Sequence, residues 1–137
     1  MSSLGQLSSR LDRHLQVVGG LTQAVLALRA ELVGKLDVLK ISPEAVVAAR
    51  TTILEFLTGL VPVLAGAAPG SEEQRAIVEN LAQAGETPAD WADDFGTIAE
   101  QLRTNASVNA AQLDKIMRVV GYLQGEVAED VRRLRSR

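Results

Sequence analysis

From the N-terminal region onward, apolar residues fall at Leu4, Leu7, Leu11, Val18, Leu21, Val25, Leu28, Leu32 and Leu39. His14 and Lys35 fill the gaps in an unbroken alternation of three- and four-residue steps. This spacing holds side chains on one stripe of an α-helix and is the a/d pattern of helices that pack on one another. It predicts one long helix from about residue 4 to 40, roughly 54 Å at 1.5 Å per residue. Ser3 followed by Gln6 matches a capping box at its start, and Ser42-Pro43 marks its end. Val17, Ala24 and Val38 widen the stripe on one side, Leu15 and Leu36 on the other. So broad an apolar face suits a helix with two or more neighbours, as in a bundle.

Ser42, Pro43 and Glu44 supply a cap, a proline at the first helical position and an acid in the first turn, so a second helix is expected over about 43–65. Within it lies the stretch ILEFLTGLVPVLAGAAPG. The 13 residues from Phe56 to Ala68 carry no charge, short of the ~20 that cross a bilayer. The expectation is a buried helix end running into an apolar loop. The alternative is an exposed patch that meets a membrane, a polymer surface or another subunit. Gly66, Pro69 and Gly70 then break the chain, and Ser71 with Gln74 matches a capping box for a short helix over about 71–84, ended by Gly85. Thr87-Pro88-Ala89-Asp90 starts the chain again.

The last part repeats the opening rhythm through Ala92, Phe95, Ala99, Leu102, Ala106, Asn109, Leu113, Ile116, Val120, Leu123, Val127, Asp130 and Leu134. The register reads as one helix from about 88 to 135, about 70 Å long. A division near Asn105 is the alternative, because Asn and Ser favour caps and turns. The fold class expected is therefore all-α: one elongated helical bundle domain spanning 1–137, with two long terminal helices carrying coiled-coil-like heptads and two short central ones.

Composition narrows the function. Apolar residues make up 47% of the chain but aromatics only 3%, so the core must be built from Leu, Val, Ile and Ala, a palette suited to packed helices. The net charge of -3 supplies no field to hold a phosphate backbone or an anionic bilayer. Without cysteine, disulfides, thiolate catalysis and thiolate metal sites drop out. No apolar run of signal-peptide length occurs near the N-terminus, which gives a cytoplasmic location as the default expectation.

Catalytic patterns are lacking. His14 is the only histidine, which excludes HExxH-type metal sites; on the helical seam it reads as a partly exposed or hydrogen-bonded residue near a helix end, or as a pH-sensitive register device. GAAPGSEEQ has no lysine and follows no strand, so it is not a P-loop, and no GxSxG is present. Asp90, Asp93 and Asp94 lie within about one turn, as acids of a first helical turn do; a weak divalent-cation site is the sharper reading. Gly121 and Gly125 share a helical face and suggest a close helix crossing inside the bundle or a subunit contact. Arg132, Arg133, Arg135 and Arg137 suit the negative end of a helix dipole.

These readings converge on a non-enzymatic structural, scaffold or adaptor subunit without cofactor or metal. Its expected partner is another copy or another helical protein. Long terminal helices that overhang the short ones would leave an apolar seam exposed. The anchoring residues expected on that basis are Leu4, Leu7 and Leu11 near one end and Val120, Leu123, Val127, Val131 and Leu134 near the other, with Trp91 and Phe95 as an aromatic pair at i, i+4. Two further expectations follow from other features: an amphipathic coat or carrier protein using the Phe56–Leu64 stretch on a lipid or polymer surface, and an accessory subunit of a nucleoprotein complex using the terminal arginines.

Overall fold

The structure is a computed structural model describing residues 4–136, so the expected Ser3 cap and Arg137 lie outside the described residues. Five helices follow in chain order: α1 (Leu4–Leu32), α2 (Pro43–Leu64), α3 (Glu72–Gln83), α4 (Pro88–Arg103) and α5 (Ala110–Arg135). The all-α bundle expected from the periodicity is what the chain forms, but with five helices and shorter terminal ones. Two of the expected boundaries need correction.

The first helix stops at Leu32, not near 40. Gly34 takes φ +68°, its N–H bonds to the Glu31 carbonyl at 3.2 Å, and the Lys35 N–H reaches back to the Ala30 carbonyl at 2.9 Å. This is a Schellman ending, in which a left-handed residue turns the chain so that orphan carbonyls still find donors. A single helical turn follows and closes the same way at Lys40, φ 56°, with the Ile41 N–H on the Leu36 carbonyl at 2.8 Å. The apolar rhythm through Leu36 and Leu39 thus continues across a turn that is no longer α1.

The second correction concerns residues 88–135, which form two helices. Asn105 adopts φ 65° and the Ala106 N–H bonds to the Gln101 carbonyl at 2.8 Å, ending α4. Asn109 then caps α5 in a full capping box with Gln112. The chain takes the alternative in which Asn favours a cap over a helix interior. Other boundaries hold as expected: Ser42 accepts from the Ala45 N–H at 3.1 Å, Ser71 and Gln74 form a complete capping box, and Pro88 opens α4 behind Thr87.

α1 packs on α2 and α5, and α2 packs also on α4. Arg10 near the start of α1 pairs with Glu126 near the end of α5, while Arg29 pairs with Asp114, so α1 and α5 run antiparallel. The short loop from α1 to α2 gives the same relation there. α4 has 16 residues and α3, of 12 residues, lies against α5 and α2. The core they enclose contains Ile53, Leu57, Leu60, Ile77, Leu81, Phe95, Leu113, Ile116 and Leu123. Each such side chain, fully buried, contributes about 1.5–3 kcal/mol.

Within α2, Leu57, Leu60, Val63 and Leu64 face this core, so the apolar stretch is largely the inside of the bundle, as expected. Counted over its whole length, α2 is nonetheless the one helix among the described residues long and apolar enough to cross a membrane, with a third of its most apolar window buried. Its outer face therefore bears on function.

Candidate functional site

Two regions depart from the rule that apolar groups are inside and charges outside. The first is an ionic cluster where α1, α3 and α5 meet. His14 on α1 and Asp130 on α5 are 1% and 0% exposed. The imidazole lies between two carboxylates, Nδ1 at 3.1 Å from Asp130 Oδ2 and Nε2 at 3.3 Å from Glu73 Oε1. Neither nitrogen is aligned for a hydrogen bond, so the enclosure is electrostatic. Arg10 donates from Nε to Asp130 at 3.3 Å and from Nη2 to Glu126 at 3.0 Å, and also pairs with Glu72. Arg13 donates to Glu73 at 3.1 Å.

Burial pushes the Glu73 carboxyl up, but its own backbone N–H, the Arg13 guanidinium, the nearby imidazole and Ser71 together outweigh that and hold it below the usual carboxylate range. Burial likewise works against the Arg10 charge, and the carboxylates of Asp130, Glu72 and Glu126 overcome it, leaving the guanidinium pKa raised. Four carboxylates surround two guanidiniums and one imidazole, so the cluster has no spare cation for an anionic ligand. The expected partly exposed His14 is corrected: the C-terminal part of α5 and the first turn of α3 enclose it. The sequence does hold a signal for this, since His14 and Asp130 are both polar residues on apolar seams.

The expected anchoring residues divide. Leu7, Trp91, Phe95, Val120 and Leu123 are buried in the chain's own interior and are corrected from partner anchors to internal packing. Trp91 meets Phe95 edge-to-face at 5.4 Å, lies under Lys115 and Arg118, and directs its N–H toward Glu86. Hydrogen bonding from Arg118 and from Trp91 pulls the Glu86 carboxyl down. Leu11, Val127, Val131 and Leu134 are half-buried, and Leu4 alone of the set is exposed. The overhanging seam is thus largely closed by α3 and the ionic cluster.

Other candidates resolve as follows. Asp94 pairs with Lys115, and no group of His, Asp or Glu among the described residues is arranged to hold a metal. A side chain placed at Gly121 or Gly125 would meet nothing within 4 Å, so the close crossing inside the bundle is not formed. Arg132 and Arg133 pair with Glu129 on their own helix.

The second departure is an apolar corner at the opposite end. Of the exposed large hydrophobic residues, Leu26, Leu32, Val33, Val38, Leu39 and Val47 all lie between the end of α1 and the start of α2. Leu26 and Leu39 stand between two hollows. One, of about 580 Å³, runs along the α1–α2 groove over Gly20, Ala24, Ala27, Ala45 and Ala48. The other, of about 310 Å³, is lined by Ala30, Leu32 and Val33. From Leu15 to Leu28 the chain has no charged residue, although Leu15, Gln16, Gly19, Gly20, Gln23 and Leu26 are exposed. Solvated helix faces are ordinarily charged, and interface centres are where charge is depleted. Sequence periodicity missed this site because it assigned Val38 and Leu39 to the inward stripe of a longer α1.

No protein-family model, curated protein or solved structure matches this chain.

Proposed function

We propose that the chain is a non-enzymatic helical scaffold or adaptor subunit that works through protein–protein contacts, with the α1–α2 corner as its working surface. The observation that carries this reading is the clustering of Leu26, Leu32, Val33, Leu39 and Val47 on the outside of a molecule whose core is otherwise closed. A non-enzymatic role is supported by the placement of the sole histidine, whose two nitrogens both face carboxylates in the interior, so its imidazole is not accessible to a substrate.

A contact surface is dispensable for folding, and this sets the test. Val33→Asp with Leu39→Asp should keep the parent's helicity by circular dichroism and change unfolding free energy by no more than about 0.5 kcal/mol per site. Collapse of the fold in that variant would mean that these side chains serve the bundle itself, and the reading would lose its basis.

A second reading has one observation in its favour. The outer face of α2, with Ala45, Val47, Ala48, Thr51 and Thr52 exposed, is poor in charge on a helix apolar enough to enter a bilayer. A lipid-surface role predicts that the parent floats with vesicles and that the double aspartate variant does not.

A further inference from the structure

We infer that the occupant of the α1–α2 corner is a second copy of this chain, docked about a two-fold axis so that Leu26 and Leu39 of each copy seat in the hollows of the other. This rests on the protein-contact reading above and names its partner. Three observations support it.

Shape comes first. An isologous interface requires one surface to carry both the projecting and the receiving element. Here Leu26 and Leu39, each about half exposed, form a ridge with a hollow on either side. The floor of the larger hollow is glycine and alanine, which lets another backbone or a leucine side chain come close.

Charge is the second. Arg29 is engaged by Asp114 of its own chain; from residue 31 to 44 the other ionised side chains are Glu31, Lys35, Asp37, Lys40 and Glu44, alternating in sign and summing to -1. A nucleic acid or an anionic membrane would call for an excess of cations. Exposed charges of alternating sign, Lys40 among them at the larger hollow, suit an identical surface, where Lys35 and Lys40 can meet acids of the other copy. Gln16 and Gln23 are exposed on the same side of α1; their amides would be costly to bury in hydrocarbon but can pair across a protein interface.

Gly20 is the third. It lines the larger hollow, and a side chain added there would meet nothing within 4 Å. A glycine inside a helix is destabilising by roughly 0.5–1 kcal/mol relative to alanine, and nothing in the chain's own packing requires it. Gly19, Gly96, Gly121 and Gly125 are equally open, but of these only Gly20 lines the hollow, where a second copy can come close.

The test exploits the opposite signs this predicts. Sedimentation equilibrium of the full chain should give twice the 14.6 kDa of one copy. Gly20→Leu fills the hollow, and its Cβ meets nothing within 4 Å, so it should weaken dimerisation at least about tenfold, equivalent to about 1.4 kcal/mol, while helicity is kept or raised. Because the chain has no cysteine, Leu39→Cys places one thiol per molecule, and mild oxidation should give a disulfide-linked dimer. A parent that stays at 14.6 kDa at its highest soluble concentration overturns the inference, whether or not it floats with phosphatidylcholine–phosphatidylserine vesicles. So does a dimer whose dissociation constant Gly20→Leu leaves unchanged. Either result bears on self-pairing alone, whereas unfolding of the Val33→Asp/Leu39→Asp variant strikes the reading beneath it.

Discussion

The two ends of the bundle invert the same rule in opposite senses. Where α1, α3 and α5 meet, His14 and Asp130 are charged or polar and inside; at the α1–α2 corner, Val33, Leu39 and Val47 are apolar and outside. What separates them is coverage. The first turn of α3 brings Glu72 and Glu73 over the ionic end, whereas Leu26, Leu39 and Val47 on α1, α2 and the link between them remain exposed. One inversion is resolved within the molecule, and the other is not.

Breaking the ionic end should therefore cost folding stability, and breaking the corner should not. The largest effect is expected from Asp130→Ala, which leaves Arg10 and His14 without their fully buried counter-charge. Removal of one member of a buried ion pair is strongly destabilising, about 3–5 kcal/mol, readable as a shift in the urea midpoint. Replacing both members, His14→Leu with Asp130→Leu, should recover much of that loss, since a packed apolar pair often substitutes for a buried ionic one. If the double variant is as unstable as the single one, the cluster holds more than an isolated charge balance.

A smaller loss is expected between the two regimes, at the hinge that delimits the corner. Gly34→Ala forces a side chain into φ +68°, a left-handed conformation that is unfavourable by roughly 1–2 kcal/mol for residues with a Cβ. The helix-to-turn ending would then relax, and residues 35–41 would shift against α2. Thermal unfolding measures the loss, and the comparison is sharpened if Gly121→Ala, at an exposed helical site with open space around it, instead gains up to about 1 kcal/mol.

Much of the bundle was legible because helical periodicity and caps are local. Ser42, Ser71 and Gly85 act within one turn of themselves, and each lies where the pattern places it. The errors share a cause: apolar spacing was followed through residues whose backbone had already left the helix. Gly34 and Asn105 were visible as letters, but their positive φ outweighs a rhythm that continues past them by coincidence. In the α4–α5 loop the buried residue is Val108, which is off the expected seam, while Ala106 and Asn109, which are on it, are exposed. The exposed apolar residues were misplaced for a related reason. A stripe shows which residues want burial, but which of them another helix of the same chain covers is decided by tertiary placement. Trp91 and Phe95 are buried on α4, which packs on α2, whereas Leu39 stays about half exposed.

The subtlest prediction is the pH response of the ionic end. Glu73 has its carboxyl held below the usual carboxylate range in the fold, so the folded state favours its ionised form more than the unfolded chain does. That contribution is fully present above the unfolded value, about 4.3, and is lost as pH falls through the lower folded value. Stability measured by urea unfolding should decline on the acid side of that window. Glu73→Gln keeps the shape of the side chain but cannot titrate, so it should lower stability near neutrality and flatten part of the acid limb. Because Glu73 faces Arg13 and His14 while the corner lies at the far end, the same titration should leave the mass measured in solution unchanged as long as the fold survives. A change of mass in step with Glu73 protonation would mean that the two ends are coupled, and that coverage at one end depends on charge at the other.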